Sequence, residues 1–129
     1  MEIVRRLYER WARGDFDVAD LLDPEVEFSR VGAEGGGVSG LWRGLEEGWA
    51  GTVEYLSAFA EYRMEAERII DVDDERVLGL SRHTGRGKSS GAPIERELGE
   101  MITLRDGKIV RVDSYWDRAE ALKAAGLPT

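Results

Sequence analysis

Apolar and polar residues alternate with a period of two through the second half of the chain, and this pattern constrains the fold more than any other feature. The alternating segments are 63–72, 76–84, 94–104 and 108–116. A period of two is typical of β-strands that bury one face. Asp106 and Gly107 separate the last two segments, and the Asp-Gly pair favours a tight hairpin. The pattern therefore predicts an antiparallel meander of four strands.

The first half of the chain has apolar residues at three- and four-residue spacing, which is typical of amphipathic helices. The expected helices cover 2–13, about 16–22, and 41 to about 60, with a brief strand at 26–30 and a glycine-rich loop at 32–40. A short helix after Asp117 ends the chain. The long helix contains Gly44, Gly48 and Gly51, and each costs about 1 kcal/mol relative to Ala. We therefore expect another group to pack close to that backbone.

Helices followed by a meander predict an α+β domain. We expect a cone-shaped, curled antiparallel sheet wrapped on the long helix, with two N-terminal helices and a short C-terminal helix. A length of 129 residues suits one domain, 1–129. The mouth of such a cone is too wide for side chains to fill, so we expect a pocket there.

Composition excludes several classes of function. The net charge of −8 argues against nucleic acid as a partner, and no apolar run has the roughly 20 residues that a membrane helix needs. With no Cys and a single His, we expect no metal. The segment 35–40 matches G-x-G-x-x-G, but two helices precede it and the following sheet is expected to be antiparallel, so we expect no cofactor. No signal-peptide core follows Met1, and we expect a cytoplasmic protein.

Five short motifs, in this order along the chain, resemble a known family. They are ARGD at 12–15, LDPEV at 22–26, LWRG at 41–44, LRDGKIVR at 104–111 and YWDRAEAL at 115–122. The chain resembles the nuclear transport factor 2-like superfamily, and within it the SnoaL-like group related to polyketide cyclases and ketosteroid isomerase. The resemblance implies the cone-shaped fold. It leaves the chemistry open, because the group includes isomerases, cyclases, hydrolases, dehydratases and proteins without catalysis.

The catalytic positions of ketosteroid isomerase transfer only in part. The resemblance places its base at Phe28 or Ser29, and neither side chain is a base, which argues against steroid-type isomerisation. Its helix-one tyrosine falls on Leu7, next to Tyr8. Its protonated aspartate falls on Glu100.

Glu100 also stands out without the family. It shares the apolar face of its strand with Leu98, Ile102 and Leu104. A carboxyl group on such a face suits general acid-base chemistry or hydrogen-bond donation. The alternative is a structural ion pair with Arg82 or Arg96 on a neighbouring strand.

His83 is the only imidazole, and its orientation is ambiguous. Leu78 and Leu80 would turn Arg82 inward, whereas Val77, Gly79 and Ser81 would turn His83 inward. On the last strand, Val110 and Val112 mark the inner side. The expected substrate-binding residues are Phe28, Ser29, Ile102, Val112, Ser114 and Trp116. We expect Trp11, Trp42 and Trp49 to pack in the core or in a dimer contact.

The sequence thus supports two functions. One is a cofactor-free acid-base enzyme for a small hydrophobic molecule, with Glu100 as acid or hydrogen-bond donor and His83 or Tyr8 as its partner. The alternative is a non-catalytic ligand-binding or dimerisation module. We also expect a homodimer formed through the outer sheet face, where Met101, Thr103 and Tyr115 lie.

Overall fold

The computed structural model describes residues 2–31 and 38–128 of the chain. Its helices are α1 (Glu2–Ala12), α2 (Gly44–Leu56) and α3 (Arg118–Ala124), with a single 3-10 turn at Ala19–Leu21. Its strands are β1 (Leu22–Val31), β2 (Val38–Arg43), β3 (Phe59–Asp71), β4 (Arg76–Gly87), β5 (Pro93–Arg105) and β6 (Lys108–Tyr115). The predicted α+β class is confirmed.

The six strands form one curled, unclosed sheet in the order β2-β1-β6-β5-β4-β3. The predicted meander β3-β4-β5-β6 is antiparallel throughout. At the β5–β6 hairpin Arg105 pairs with Lys108, and Asp106 and Gly107 have φ of 52° and 76°. Positive φ at both positions is what a tight primed turn requires, so the Asp-Gly prediction is confirmed.

The sheet is mixed rather than wholly antiparallel, because β1 pairs with β6 in parallel. Parallel pairing joins segments far apart in the chain, and the period-two pattern gives no information about which distant strands meet. The curled sheet is otherwise as expected.

The boundaries of the helices differ from the prediction in three places. The long helix ends at Leu56 rather than near residue 60, because β3 begins at Phe59. Residues 38–43 form β2, whereas 38–40 were expected in the loop and 41–43 at the start of the long helix. Trp42 pairs with Phe28, and Gly44 has φ of 83°, a left-handed conformation unsuited to a helix interior. The predicted second helix is only the turn Ala19–Leu21, because Leu22 already belongs to β1. The part of the predicted glycine-rich loop at 32–37 lies outside the described residues.

The two faces of the sheet bury separate hydrophobic clusters. The inner cluster lies between the sheet and helices α1 and α2, and it includes Val4, Leu7, Val77, Ile102 and Ile109. The outer cluster contains Leu78, Leu80, Met101 and Ala121, the last from α3. Strand β4 is thus buried on both faces, and its alternation places Val77, Gly79, Ser81 and His83 on the inner side.

The outer face does not have the exposed apolar surface on which the homodimer prediction was based. Met101 is 3% exposed, because α3 packs over it. Away from α3 the outer face is charged: Arg111 makes ion pairs with Glu27 and Asp113. In the described part of the chain, no helix has the length and apolar character needed to cross a membrane.

Candidate functional site

A cavity of about 410 Å³ lies between the inner face of the sheet and helices α1 and α2. This volume is within the range typical of small-molecule sites. A third of its lining residues are aromatic, and all four tryptophans of the chain are among them. The aromatic lining residues are Trp11, Phe16, Phe28, Trp42, Trp49, Tyr55, Tyr62 and Trp116. The prediction that these tryptophans pack in the core or in a dimer contact is confirmed for Trp11, which belongs to the inner cluster. Trp11, Trp42 and Trp49 also line the cavity, because helical spacing does not distinguish a core position from a cavity wall.

Glycines in α2 let two of these rings approach the helix. A Cβ at Gly48 would lie 2.6 Å from the Phe28 ring, and a Cβ at Gly51 would lie 2.7 Å from Nε1 of Trp42. The expected close packing against the helix backbone is confirmed at both positions. The glycines thus fix how near α2 lies to β1 and β2, and this spacing shapes the cavity.

Behind the cavity, Glu100 is fully buried and accepts several hydrogen bonds. The Tyr8 hydroxyl donates to its Oε1 at 2.7 Å, and the Ser81 hydroxyl donates to its Oε2 at 2.9 Å. His83 Nε2 lies 3.2 Å from the same Oε2. No arginine is paired with Glu100 among the described residues: Arg82 binds Glu67 and Glu95 instead. The proposed alternative of a structural ion pair with Arg82 or Arg96 is therefore wrong.

Gly79 makes room for this arrangement. It pairs with Glu100 across β4 and β5, on the inner face. A Cβ there would lie 1.9 Å from the Tyr8 hydroxyl oxygen, and the next nearest atoms also belong to the Tyr8 ring. Only glycine at this position leaves the phenol of Tyr8 free to reach the carboxyl group.

His83 connects the buried carboxyl group to the cavity. Its Nδ1 lies 2.7 Å from the Tyr62 hydroxyl, and that hydroxyl lies 2.9 Å from the hydroxyl of Tyr55. His83, Tyr62 and Tyr55 line the cavity, whereas Glu100 and Tyr8 do not. A continuous hydrogen-bonded chain therefore runs from Glu100 through His83 and Tyr62 to Tyr55. We call it the relay.

The two buried phenols next to Glu100 and His83 are held in the neutral form. Burial, and then the nearby Glu100 carboxyl group, raises the pKa of Tyr8 well above its ordinary value. Burial is also the main cause that raises the pKa of Tyr62, with a further contribution from Tyr55. Both hydroxyls therefore act as hydrogen-bond donors and acceptors at neutral pH.

The structure brings together the three residues expected to be catalytic: Tyr8, His83 and Glu100 lie in one hydrogen-bonded group. Of the expected substrate-binding residues, those that line the cavity are Phe28, Ser29, Val112, Ser114 and Trp116. The Ser29 hydroxyl donates to Asp113 Oδ1 at 2.5 Å. Ile102 is the exception, since it is fully buried in the inner cluster and is not a lining residue.

Sequence reasoning missed the polar residues contributed by other elements. Tyr55 on α2 and Tyr62 at the start of β3 had no pattern that separates them from core aromatics. Arg30 on β1 lines the cavity, with its guanidinium carbon 4.6 Å from the ring centres of both Trp42 and Tyr55. The buried indole Nε1 of Trp116 has no hydrogen-bond partner among the described residues.

The described residues contain no group of three or more metal-ligating side chains placed to hold a metal ion. The polar side chains at the cavity wall include an imidazole, two phenols and a guanidinium, with a buried carboxyl group behind the imidazole.

Comparisons of the fold with solved structures give close matches over nearly the whole chain. A SnoaL-like polyketide cyclase, so described only putatively, from Jannaschia sp. has a TM-score of 0.75 at 19% identity, with 99% of this chain and 92% of that chain covered. A hypothetical protein of ketosteroid isomerase-like fold from Catenulispora acidiphila, in complex with trimethylamine, has a TM-score of 0.72 at 17% identity, with 98% and 94% covered. TerC, co-crystallised with polyporic acid, has a TM-score of 0.74 at 17% identity, with 97% and 96% covered.

At these identities the structural matches establish the fold alone. The comparison with curated proteins gave no match. The family model of the SnoaL-like domain matches residues 4–112, which is most of the chain. The chain therefore belongs to the SnoaL-like domain family.

Proposed function

We propose that this protein is a cofactor-free enzyme that transfers a proton on a small, mostly apolar substrate. One observation supports this most strongly: His83 is held at the cavity wall between a buried carboxyl group and a tyrosine hydroxyl. An imidazole oriented by a carboxyl group on one side and facing a substrate site on the other is a common general acid-base arrangement.

The hydrogen bonds define how the proton moves. When the Glu100 carboxylate accepts from Nε2–H of neutral His83, Nδ1 is left to accept from the Tyr62 hydroxyl. As the Tyr62 oxygen takes a proton from the substrate, its own proton passes to Nδ1. The resulting imidazolium is stabilised by Glu100, and the reverse transfer delivers a proton to a second substrate atom.

In this mechanism the predicted roles are redistributed. Tyr62 contacts the substrate, His83 holds the proton, and Glu100 is a positioning residue because it does not reach the cavity. Tyr8 and Ser81 in turn fix the carboxyl group of Glu100. The raised pKa of Tyr62 disfavours a free phenolate, so the two transfers through this hydroxyl take place together.

Two structural relatives support a small-molecule ligand. One was crystallised with trimethylamine and another with polyporic acid. We extend this property to the present chain on the strength of its own aromatic cavity.

The second candidate function is a non-catalytic binding or dimerisation module. It is favoured by the fact that the relay groups hydrogen-bond to one another, so that an apolar ligand needs only a complementary shape. A binding protein of this kind would not accelerate proton exchange.

Hydrogen-deuterium exchange at the carbon next to a ketone separates the two functions. NMR of 2-tetralone in D₂O would measure how much faster the protons next to the carbonyl group exchange with the protein present than in buffer alone. We expect His83→Gln to lower the catalysed rate by about 100-fold or more, the size typical of general acid-base catalysis. Thr103→Val is the matched control, because Thr103 lies on β5 and does not line the cavity. Equal rates in the His83→Gln and wild-type proteins, or binding of the ketone without exchange, would contradict the enzymatic proposal.

The homodimer and the cytoplasmic location are parts of this proposal as well. The dimer no longer rests on the outer sheet face, because α3 covers the apolar half of that face. The dimer is instead motivated by the exposed Leu41, Trp49 and Val53 around α2.

A further inference from the structure

Strand β3 contains one extra residue beside the relay. Its pairing with β4 is interrupted after residue 60, which pairs with residue 86, and resumes at residue 63, which pairs with residue 84. Glu61 and Tyr62 therefore lie opposite the single residue Gly85. Two residues opposite one form a β-bulge, and bulges next to functional sites commonly redirect a side chain. Tyr62 is itself a relay residue.

The bulge holds Glu61 in a strained backbone conformation. Its φ is 56°, in the left-handed region where the first residue of such a bulge is usually glycine. The side chain of Glu61 gives no reason for this strain, because it is 74% exposed and lies 3.8 Å from its ionic partner Arg86. Strain of this kind persists where the surrounding structure imposes it. The cause of the bulge therefore lies in the residues that flank it.

The extra residue changes the face of the sheet on which Phe59 lies. In a regular strand, residues three positions apart point to opposite faces, so Phe59 would point away from Tyr62. One inserted residue shifts the alternation and places both rings on the inner face. The Phe59 ring packs against the inner cluster, and its centre lies 5.1 Å from that of Tyr62 and 5.3 Å from that of Tyr55.

The residue opposite the bulge makes room for the Tyr62 ring. A Cβ at Gly85 would lie 3.1 Å from Cδ2 of Tyr62 and 3.4 Å from its Cα. Because no side chain is present there, the ring lies close to β4, and its hydroxyl oxygen is 2.7 Å from Nδ1 of His83. The bulge and the glycine thus determine the position of the same ring.

We propose that the β-bulge at Glu61 and Tyr62 is a positioning device for the relay, and that Phe59 is the positioning residue through which it acts. The rings of Phe59, Tyr55 and Tyr62 all contact one another. Phe59 is not among the described residues that line the cavity, so it holds the two tyrosine hydroxyls 2.9 Å apart without touching a ligand. This inference rests on the proposed function for what the relay does, whereas the geometry of the relay can be measured without turnover.

The single histidine of the chain makes this geometry measurable. In ¹⁵N NMR of the ligand-free protein, the only imidazole signals are those of His83, and Tyr62→Phe shows how far the Nδ1 signal moves when its hydroxyl partner is lost. We expect Phe59→Ala and deletion of Glu61 each to reproduce most of this shift, because the Tyr62 ring can then turn away from His83. Circular dichroism checks folding, and Phe59→Leu replaces either variant if it does not fold. A wild-type Nδ1 signal in the folded Phe59 variant would overturn the proposal.

Three control variants separate positioning from a general loss of packing. Ile69→Ala removes another partly buried β3 side chain that packs against the inner cluster, so it should lower the melting temperature and leave the Nδ1 signal unchanged. Glu61→Gly keeps the bulge with a residue suited to its φ, so it should keep the signal and melt no lower than wild type. Glu65→Gly, at an exposed position of regular pairing, should melt lower.

Two results with these controls would contradict the proposal. An Nδ1 shift in Ile69→Ala as large as that in Phe59→Ala would make the effect of Phe59 merely structural. A Glu61→Gly protein that melts as low as Glu65→Gly would refute the strain at Glu61 and, with it, the argument that the bulge is imposed by the site.

Turnover gives a second readout. Phe59→Ala should slow proton exchange of 2-tetralone about tenfold or more at saturating ketone, with little change in KM, because Phe59 does not line the cavity. The two proposals fail separately. An Nδ1 shift in Phe59→Ala without any proton exchange by the wild-type protein would refute the enzyme and leave the positioning role intact. Proton exchange by the wild-type protein with an unchanged Nδ1 signal in Phe59→Ala would do the reverse.

Discussion

Gly79 offers a sharp test of the site, because one added methyl group should dislodge Tyr8. In Gly79→Ala, the Cβ would lie 1.9, 2.5 and 2.6 Å from three atoms of the Tyr8 phenol. To reach ordinary contact distance the ring must retreat by about 1.5 Å. The Tyr8–Glu100 hydrogen bond is 2.7 Å long, so such a retreat breaks it.

The expected loss of stability follows from two contributions. Overpacking a well-packed site costs about 1–3 kcal/mol. A buried acceptor that loses its donor costs about 1–3 kcal/mol more. We therefore expect Gly79→Ala to lower the free energy of unfolding by about 2–6 kcal/mol, measured by urea denaturation and tryptophan fluorescence.

A double-mutant cycle shows whether Tyr8 is the cause. Tyr8→Leu removes all three clashing atoms, so Gly79→Ala in that background should cost less than about 1 kcal/mol. Gly87→Ala on the same strand is the control, because the atoms near its Cβ belong to the flexible side chain of Ser90. A cost of Gly79→Ala that is the same in both backgrounds would refute the reasoning.

Three further predictions concern the molecule as a whole. In an alkaline titration followed by tyrosine absorbance, Tyr8 and Tyr62 should stay neutral while the protein is folded, because the pKa of each is raised. A phenol whose pKa is higher in the folded than in the unfolded state contributes its full stabilisation below the unfolded pKa of about 10. This contribution is lost as the pH rises above about 10, so the ionisation of these phenols should coincide with unfolding. Dialysis against a chelator should leave the melting temperature unchanged, and a stoichiometric divalent metal in the purified protein would contradict this. Sedimentation at tens of micromolar should show a dimer, and a monomer would remove that prediction.

The sequence was sufficient for features that depend on local patterns. The Asp-Gly hairpin follows from short-range chemistry, and so does the start of α3 after Asp117, whose carboxylate accepts from the backbone N–H of Ala119. The glycine inside the helical pattern at Gly48 also indicated that another group packs close to α2. Strand β5 was also assigned correctly. Apart from Met101, the residues on its outer face are mostly polar, and they alternate with the apolar residues on either side of Glu100.

Other features depend on tertiary context that local patterns do not contain. The face occupied by His83 was ambiguous because residues 77–81 are buried on both sides of the sheet, with α3 covering one side. The second half of β2, residues 41–43, was mistaken for helix because Leu41 and Leu45 have helical spacing, whereas pairing with β1 determines the structure of Leu41. Of the relay, the sequence predicted Glu100 and His83 but not Tyr55 and Tyr62. The two tyrosines come from different elements, and their distance depends on how α2 packs.

The buried polar group is hard to explain as a device for stability. Glu100 lies on the same face as Leu98 and Ile102, where an aliphatic side chain of similar size would need no hydrogen-bond donors. Tyr8 and Ser81 satisfy the carboxyl group from two elements, and Gly79 gives up a side chain to admit one of them. Each of these choices has a cost in packing or chain entropy. Together they hold one imidazole in a fixed orientation at the wall of a cavity, and this arrangement supports the proposed proton transfer better than it supports a purely structural role.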